Sequence, residues 1–303
     1  MLKSEELKRY QRHLQLPNFT LKSQEALKAS NVLIIGLGGL GGPVVQYLSA
    51  AGIGTIGLAD FDTVSLNNLQ RQVLFTKKDI GQTKVKCAEN WIKNLNPNVI
   101  VQIHDEGITE QNAQKLVSKY DIIVDGTDTF TTRYLINDAC IIKNKPWVMG
   151  SMFQFEGQVS LFNFENGPSY RCLYPQAPLP SESPSCNEAG VLGVLPSIIG
   201  SFQALEVIKV ITGISKTLSS KLLIFNALEY TSIQLSIKKN PDNFAISQII
   251  LNKQNCSIEN YPKESIEPDF ANKAKQRFQF IDIRMDWEFK MEHIQSTHIP
   301  MWM

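Results

Sequence analysis

Two basic side chains, Arg71 and Lys84, lie where they could neutralise the phosphates of a nucleotide. Arg71 ends a polar segment that begins at Thr63, and Lys84 opens a predicted helix. A nucleoside triphosphate requires such cations, because they offset the charge of the β and γ phosphates and of the leaving pyrophosphate. NAD carries less phosphate charge at that end, so the pair favours a nucleoside triphosphate over a dinucleotide.

Two carboxylates follow predicted strands close to these cations. Asp60 comes directly after the apolar run at 55–59 and could accept a hydrogen bond from a ribose hydroxyl. Asp128 follows the predicted strand at 120–124 and could ligate Mg²⁺ through its oxygens. Asp128 could also cap the helix predicted over 131–143, and the two roles are compatible.

A glycine-rich segment at 36–41, Gly-Leu-Gly-Gly-Leu-Gly, lies between a predicted buried strand and a segment with helical spacing. Glycine permits positive φ and lets backbone N–H groups approach a phosphate at a helix N-terminus. A tight strand-to-helix turn without a ligand is the alternative. The candidate nucleotide-binding glycines are Gly36, Gly38, Gly39 and Gly41.

The order of the predicted elements determines where these groups meet. Strands and helices alternate up to residue 149, which is typical of a doubly wound, Rossmann-like α/β fold with a mostly parallel sheet. From residue 158 the pattern changes to antiparallel strands that extend this sheet. The stretch from Val32 to Ala59 has no charged residue over 28 positions, but its eight glycines argue against a membrane-spanning helix.

The composition is that of an ordinary globular protein. The net charge is +1, so no nucleic-acid or membrane-surface partner is expected. The N-terminus is rich in charged residues and has no signal-peptide core, and the five cysteines are odd in number and scattered. These features predict a cytoplasmic protein without a disulfide framework.

Five motifs, in order, resemble the ThiF/MoeB family of adenylyltransferases, which activate sulfur-carrier proteins and are similar to ubiquitin-activating enzymes. The resemblance runs from about residue 7 to about residue 237. The motifs are Arg9 to Arg12, Gly36 to Gly41, Asp60 to Arg71, Gly81 to Lys84 and Gly126 to Asp128.

This resemblance implies an ATP and Mg²⁺ site, a homodimer and a small ubiquitin-like protein substrate that ends in Gly-Gly. Arg12 would reach from the second subunit into the phosphate site, and without the resemblance an ordinary solvated arginine is equally plausible. The implied catalytic residues are Arg12, Arg71, Lys84, Asp128 and Cys186. The implied ATP and Mg²⁺ ligands are Gly36, Gly38, Gly39, Gly41, Asp60, Asp62, Asn68, Arg71, Lys84 and Asp128.

The implied reaction joins the carrier's C-terminal glycine to AMP and releases pyrophosphate, and a separate sulfur donor (a cysteine desulfurase or sulfurtransferase) later makes the thiocarboxylate. Cys186 matches the position of a family cysteine proposed to bind the carrier covalently, and an unreactive loop cysteine is the alternative. Molybdenum-cofactor, thiamine and other thiolation pathways all remain open. Molybdopterin-synthase activation is favoured, because the motifs at 68–71 and 187–190 are close to those of that branch and because the tail resembles a rhodanese-like domain.

The cysteines depart from the family pattern at its structural zinc site. Many relatives hold zinc with two Cys-x-x-Cys pairs, whereas the first pair here reads Ser169-Tyr-Arg-Cys172. The second pair would fall in residues 240–247, which contain no cysteine. We therefore expect no structural zinc and interpret Cys172 as a packed remnant.

The C-terminal segment resembles the opening of a rhodanese-like domain, through the strand that ends in Asp282-Ile-Arg284 and the later His298-Ile-Pro300. At about 26 residues it is too short for a core of its own, so no sulfurtransferase activity is expected. The predicted organisation is an adenylyltransferase domain at 1–240, a linker at 241–277 and an incomplete rhodanese-like fragment at 278–303.

Two other functions are compatible with parts of the sequence. A non-catalytic binding scaffold could retain the fold, but it would not need Arg12, Lys84 and Asp128 together. An NAD-dependent oxidoreductase is the less favoured alternative, because no acid or base for hydride transfer is evident beside Arg71 and Lys84.

Overall fold

The structure, a computed structural model, describes residues 1–176 and 190–249 in full, together with the backbone of two short strands at 281–282 and 297–298. Cys186, most of the predicted linker and most of the rhodanese-like segment lie outside the described residues. The chain divides into two compact units, Met1–Asn252 and Lys253–Met303. The first unit thus extends twelve residues beyond position 240.

The described residues of the first unit contain nine α-helices, eight strands and three short 3₁₀ helices. The helices are α1 (Ser4–Arg9), α2 (Gln11–Leu14), α3 (Leu21–Ala29), α4 (Gly41–Ala51), α5 (Lys84–Leu95), α6 (Ala113–Val117), α7 (Phe130–Ile142), α8 (Tyr170–Leu173) and α9 (Val194–Thr212). The strands are β1 (Asn31–Ile35), β2 (Thr55–Ala59), β3 (Ile100–His104), β4 (Ile122–Asp125), β5 (Trp147–Phe153), β6 (Glu156–Phe162), β7 (Lys221–Asn226) and β8 (Thr231–Ser236). The 3₁₀ helices are Leu66–Asn68, Lys77–Asp79 and Pro241–Phe244.

All eight strands form one sheet in the order β3-β2-β1-β4-β5-β6-β7-β8. Strands β1 to β5 are parallel, and β6, β7 and β8 are added antiparallel. The predicted fold is therefore confirmed. Successive strands are added on one side of β1 up to β3 and on its other side from β4 onward, so the strand order reverses between β1 and β4. Open α/β sheets bind ligands at such a point, beyond the carboxyl ends of the strands.

Helices cover both faces of this sheet, which explains the run without charged residues. Alternate side chains of β1 enter two separate cores: Val32 and Ile34 pack with α4, α5 and α9, whereas Leu33 and Ile35 pack with α6 and α7. Strands buried on both faces cannot carry a charge without a partner. Among the described helices, α9 alone is long and apolar enough to cross a membrane, and it packs against α3, α4 and the sheet.

The sequence of residues 4–14, with Glu5 and Glu6 in its first turn, predicts a single helix with Ser4 as its N-cap. The structure differs from this expectation. Ser4 is the first helical residue and not the cap, and the helix breaks at Tyr10, which lies at φ −96° and ψ 12°. The Tyr10 ring is buried against Gly52, and Asn96 Nδ2 donates a hydrogen bond of 2.9 Å to its hydroxyl. This contact draws Tyr10 into the core and interrupts the helix.

The second unit contains a small parallel pair of strands. In it, β9 (Ile281–Asp282) pairs with β10 (Thr297–His298), and Ile281 lies opposite Thr297. The described residues 281–282 lie within the strand expected before Arg284.

Candidate nucleotide site

Three glycines bring the ends of β1 and β4 into close contact. Gly36 has φ +84°, and a Cβ on it would lie 2.8 Å from the Gly126 carbonyl oxygen. A Cβ on Gly41 would lie 1.9 Å from the Gly36 oxygen, and one on Gly126 would lie 2.5 Å from the same atom. These distances are too short for any side chain, so the turn requires glycine at all three positions.

The middle of the glycine segment has a different environment. A Cβ on Gly39 would lie 2.9 Å from Pro196 Cβ in α9, so Gly39 allows that helix to approach the turn. A Cβ on Gly38 would have only an ordinary contact, 3.6 Å from Gln72 Nε2. Packing therefore requires Gly36, Gly39 and Gly41, whereas at Gly38 there is room beside the Gln72 amide.

Asp60 fixes the glycine turn to the end of β2. Its Oδ2 accepts a hydrogen bond of 2.6 Å from the Leu37 N–H, and its Oδ1 accepts one of 2.8 Å from the Asp62 N–H. The residue is buried. Each oxygen retains a second lone pair, so a ribose hydroxyl could still donate to Asp60.

Lys84 and Asp62 form an ion pair near this turn. The Nζ–Oδ2 distance is 2.8 Å, and the Lys84 side chain is 6% exposed while that of Asp62 is 52% exposed. The Lys84 N–H also donates to the Asp62 carbonyl at 3.0 Å. The segment after β2 thus folds back onto the first turn of α5, with a buried ammonium group and a carboxylate open to solvent.

Arg71 lies just beyond the 3₁₀ helix Leu66–Asn68. Its Nη1 donates to the Asn67 carbonyl at 3.1 Å, and it makes no ion pair with any described residue. Asn68 Oδ1 accepts from the Ser65 N–H at 3.2 Å, which holds the turn closed. Arg71 therefore contributes a positive charge that no described carboxylate neutralises.

Gln72 is a candidate site residue that the sequence analysis did not single out. Its side chain is buried, and its Oε1 has no hydrogen-bond partner among the described residues. A buried amide oxygen without a partner is costly, which suggests that a ligand or water satisfies it. The only signal in the sequence was its place next to Arg71, inside the same motif.

The end of β4 is organised by a buried ion pair. Asp125 Oδ1 accepts hydrogen bonds from the Thr127 N–H and hydroxyl, and Asp125 Oδ2 lies 3.3 Å from Arg133 Nε. Burial raises the pKa of the Asp125 carboxyl, although Arg133 and Thr127 oppose that rise. In the sequence Asp125 is only the residue that follows the predicted strand at 120–124, and its pairing with Arg133 appears only in the structure.

Asp128 projects from this ordered loop. It is exposed and makes no hydrogen bond to another described residue, whereas Thr129 caps α7 by accepting from the Thr132 N–H. The alternative role of Asp128 as the helix cap is therefore wrong. A single exposed carboxylate suits Mg²⁺, which usually takes one or two carboxylates and completes its shell with phosphates and water.

Similarity to known proteins identifies the family of this chain. The ThiF family model matches residues 10–245. The chain belongs to the ThiF family. It is 46% identical over 242 residues to the sulfur carrier protein adenylyltransferase of Thermus thermophilus, covering 78% of this chain and 89% of that protein. It is 40% identical over 319 residues to the Probable adenylyltransferase/sulfurtransferase MoeZ of Mycobacterium tuberculosis, covering 98% and 79%.

A solved structure shares the ThiF-family fold. The crystal structure of E. coli MccB with AMPCPP and MccA has a TM-score of 0.67 and 25% identity, over 77% of this chain and 72% of that one. The resemblance to the ThiF/MoeB family inferred from the five motifs is thereby confirmed.

Arg12 is a predicted site residue of this ThiF-family chain, and it lies away from the other described site residues. Tyr10, two residues earlier, packs on Gly52 at the C-terminus of α4, whereas the glycine turn lies at its N-terminus. Eleven residues of α-helix span about 16 Å. Arg12 is exposed, and its hydrogen bond within the chain is to Gln15, at 3.4 Å. Within one chain, Arg12 therefore does not join the cluster formed by Asp60, Asp62, Asn68, Arg71, Lys84 and the glycine turn.

Proposed function

We propose that this protein uses ATP and Mg²⁺ to adenylate the C-terminal glycine of a small ubiquitin-like sulfur carrier, with release of pyrophosphate. The observation that carries the proposal is a pair of cationic side chains, Arg71 and Lys84, beside the glycine turn. Arg71 has no described counter-ion, and the buried Lys84 shares only the half-exposed Asp62. Relatives named as sulfur carrier protein adenylyltransferases support the same activity.

The parts of the site have distinct roles in binding ATP. The glycine turn and the first turn of α4 supply backbone N–H groups for phosphate oxygens. Arg71 and Lys84 neutralise the phosphates, Asp60 and Asn68 hold the ribose side, and Asp128 with the exposed Asp62 lies at the metal side. Mg²⁺, when bound, supplies charge neutralisation on the phosphates.

The chemistry requires positioning more than proton transfer. A carboxylate oxygen of the carrier's last glycine attacks the α-phosphorus, and the bond from that phosphorus to the bridging oxygen breaks. The α-carboxyl group is already ionised at neutral pH, so no general base is needed. Charge accumulates on the leaving pyrophosphate, where Arg71 and Lys84 stabilise it.

A protein substrate is favoured by the apolar surface at the carboxyl end of β5, the same edge of the sheet as the glycine turn. Phe153 is 50% exposed and Phe155 is 41% exposed at the β5–β6 turn, and Leu228 and Tyr230 at the β7–β8 turn are 62% and 85% exposed. The two turns are joined by a hydrogen bond from the Ala227 N–H to the Phe155 carbonyl. Such a patch fits the body of a carrier whose tail enters the site.

The remaining roles follow the family pattern. We propose that the protein acts as a cytoplasmic homodimer in which Arg12 serves the partner's phosphate site, and that Cys186 receives the carrier before a separate sulfur donor acts. Molybdopterin-synthase activation is the favoured pathway. Residues 1–240 carry the activity in this proposal, with residues 241–277 as a linker and residues 278–303 as a rhodanese-like segment.

The test is ATP–pyrophosphate exchange with purified carriers that end in Gly-Gly. We expect exchange with the cognate carrier and none with the same carrier lacking its last glycine. Asp128→Ala should abolish exchange with the fold intact, while Lys93→Ala, on the exposed side of α5, should have full activity. Absence of exchange with every carrier would refute the proposal.

Mass spectrometry of the reaction mixture tests the covalent step separately. A carrier adduct that disappears in Cys186→Ala would support that role. Exchange without any adduct would refute the role of Cys186 and leave the adenylation proposal standing.

A further inference from the structure

Hydrogen-bond donors from two distant segments converge on the sulfur of Cys172. Ser169 approaches Sγ with its N–H at 3.4 Å and its hydroxyl at 3.3 Å. From the segment after β8, the Asn240 N–H lies at 3.3 Å and Asn243 Nδ2 at 3.5 Å. A half-buried thiol thus accepts hydrogen bonds from residues about seventy positions away in the sequence.

These residues have the spacing of two zinc-binding pairs but not their chemistry. Ser169 and Cys172 form one x-x pair, and Asn240 and Asn243 form the other. Zinc sites in proteins use thiolate, imidazole or carboxylate ligands, usually four of them in structural sites. Here one thiol is joined by a hydroxyl and two asparagines, and the N–H groups of Asn240 and Asn243 point at the sulfur. The residues present do not fit zinc.

We propose that Ser169, Cys172, Asn240 and Asn243 form a metal-free clasp, in which hydrogen bonds to one sulfur join α8 to the segment after β8 as a structural metal would. The earlier interpretation of Cys172 as a packed remnant is thereby replaced, because its sulfur is the acceptor that both segments share.

Each of the two segments has further polar contacts beside the clasp. On the side of α8, Arg171 Nε and Nη2 donate to the buried Asp138 carboxylate of α7 at 2.9 and 2.8 Å. On the other side, Lys239 contacts Asn166 and lies 4.2 Å from the centre of the Phe244 ring. The clasp therefore joins α8 and the segment after β8, each of which also has contacts of its own.

The electrostatic environment of the thiol agrees with this geometry. Burial raises the pKa of Cys172, but hydrogen bonds from Asn240, Ser169 and Asn243 outweigh burial, and the net effect is a lowered pKa.

In the sequence, the clasp residue Cys172 comes shortly before the segment that contains Cys186, because α8 ends at Leu173 and residues 177–189 follow.

The first test is metal analysis of the full chain, purified without chelators from zinc-supplemented cells. We expect far less than one zinc per chain and the same Tm with and without EDTA. Zinc near one per chain, or a Tm that EDTA lowers, would overturn the metal-free assignment.

The second test is a double-mutant cycle on Tm. Cys172→Ala should lower Tm by roughly 3–8 °C, because it leaves three residues without their acceptor. Asn243→Ala should lower Tm by less, and adding it to Cys172→Ala should have little further effect, because the two groups act on one contact. Ser118→Ala, which removes an exposed hydroxyl, is the control. Additive shifts, or no shift in Cys172→Ala, would overturn the clasp.

Discussion

The glycine turn at the ends of β1 and β4 and the region around α8 depend on different kinds of contact. At the turn, backbone meets backbone through Gly36, Gly41 and Gly126. Around α8, polar side chains from distant segments meet, as Arg171 meets Asp138 and as Asn243 meets Cys172. A backbone contact admits one residue type, whereas a side-chain contact can be built from several. The first kind is therefore visible in a single sequence, and the second is not.

The largest expected effect on stability comes from placing a side chain at a glycine that contacts backbone, in contrast to a glycine that contacts a side chain. In Gly41→Ala the new Cβ would meet the Gly36 backbone oxygen at 1.9 Å, whereas in Gly157→Ala it would meet the flexible end of Ile199 at 2.1 Å. We expect Gly41→Ala to lower the free energy of unfolding by at least about 5 kcal/mol and to abolish exchange. Gly157→Ala should lower it by about 1–3 kcal/mol. Urea unfolding measures both, and equal effects would contradict the distinction.

The same distinction explains how much of the molecule could be predicted. The sequence predicts a strand over 31–35, a helix over 43–51 and a strand over 55–59, with the glycine turn after the first strand. These bounds agree with the structure within two residues, because the contacts of this region restrict the sequence locally. The family and the sheet were inferred from the same local patterns, and both inferences are confirmed. The break at Tyr10 was missed, because it depends on Gly52 and Asn96, which are far away in the sequence.

The candidate site was predicted as a set of residues but not as a set of contacts. Sequence reasoning named Asp60, Lys84 and Asp128, yet the pairing of Lys84 with Asp62 and the open amide of Gln72 appear only in three dimensions. Cys172 illustrates the limit most clearly. The sequence shows that Ser169, Asn240 and Asn243 are not cysteines, but their hydrogen bonds to the Cys172 sulfur appear only in the structure.

The buried ion pair between α8 and α7 should give the next largest effect. Arg171→Leu leaves the fully buried Asp138 without its bidentate partner, so we expect a loss of about 3–5 kcal/mol in the free energy of unfolding. Lys93→Ala, which breaks the exposed pair with Glu89, should cost between about 0 and 1 kcal/mol. Guanidinium unfolding followed by circular dichroism measures both. A loss below about 1 kcal/mol for Arg171→Leu would show that α8 is held chiefly by its apolar contacts.

Lys84→Ala, beside the glycine turn, should reduce the exchange activity without reducing the stability of the fold. The lysine stabilises charge on the phosphates in the proposed reaction, so we expect exchange to fall by roughly 10²–10³-fold. Stability should change little, because the Asp62 left behind is half exposed and can be solvated. Exchange kinetics and thermal unfolding of the same preparation measure the two effects. Normal exchange in a folded Lys84→Ala protein would remove Lys84 from the phosphate site.

The smallest expected effect comes from one substitution made at two buried serines, one in a strand and one in a helix. The Ser160 hydroxyl in β6 donates to the Lys221 carbonyl of β7 at 2.8 Å, whereas the Ser49 hydroxyl donates to Val45 in its own helix at 2.6 Å. Both serines are fully buried. Ser160→Ala should lower the free energy of unfolding by about 1 kcal/mol, or about 2–4 °C in Tm, because a contact between strands is lost.

Ser49→Ala should have less than half that effect, since the Val45 carbonyl belongs to a helix that already supplies its backbone partner and alanine favours the helix. Differential scanning calorimetry resolves such shifts. A larger loss in Ser49→Ala than in Ser160→Ala would mean that a side-chain hydrogen bond within one helix stabilises the protein at least as much as one between strands. The expectation that contacts between separate segments stabilise the protein more would then be wrong.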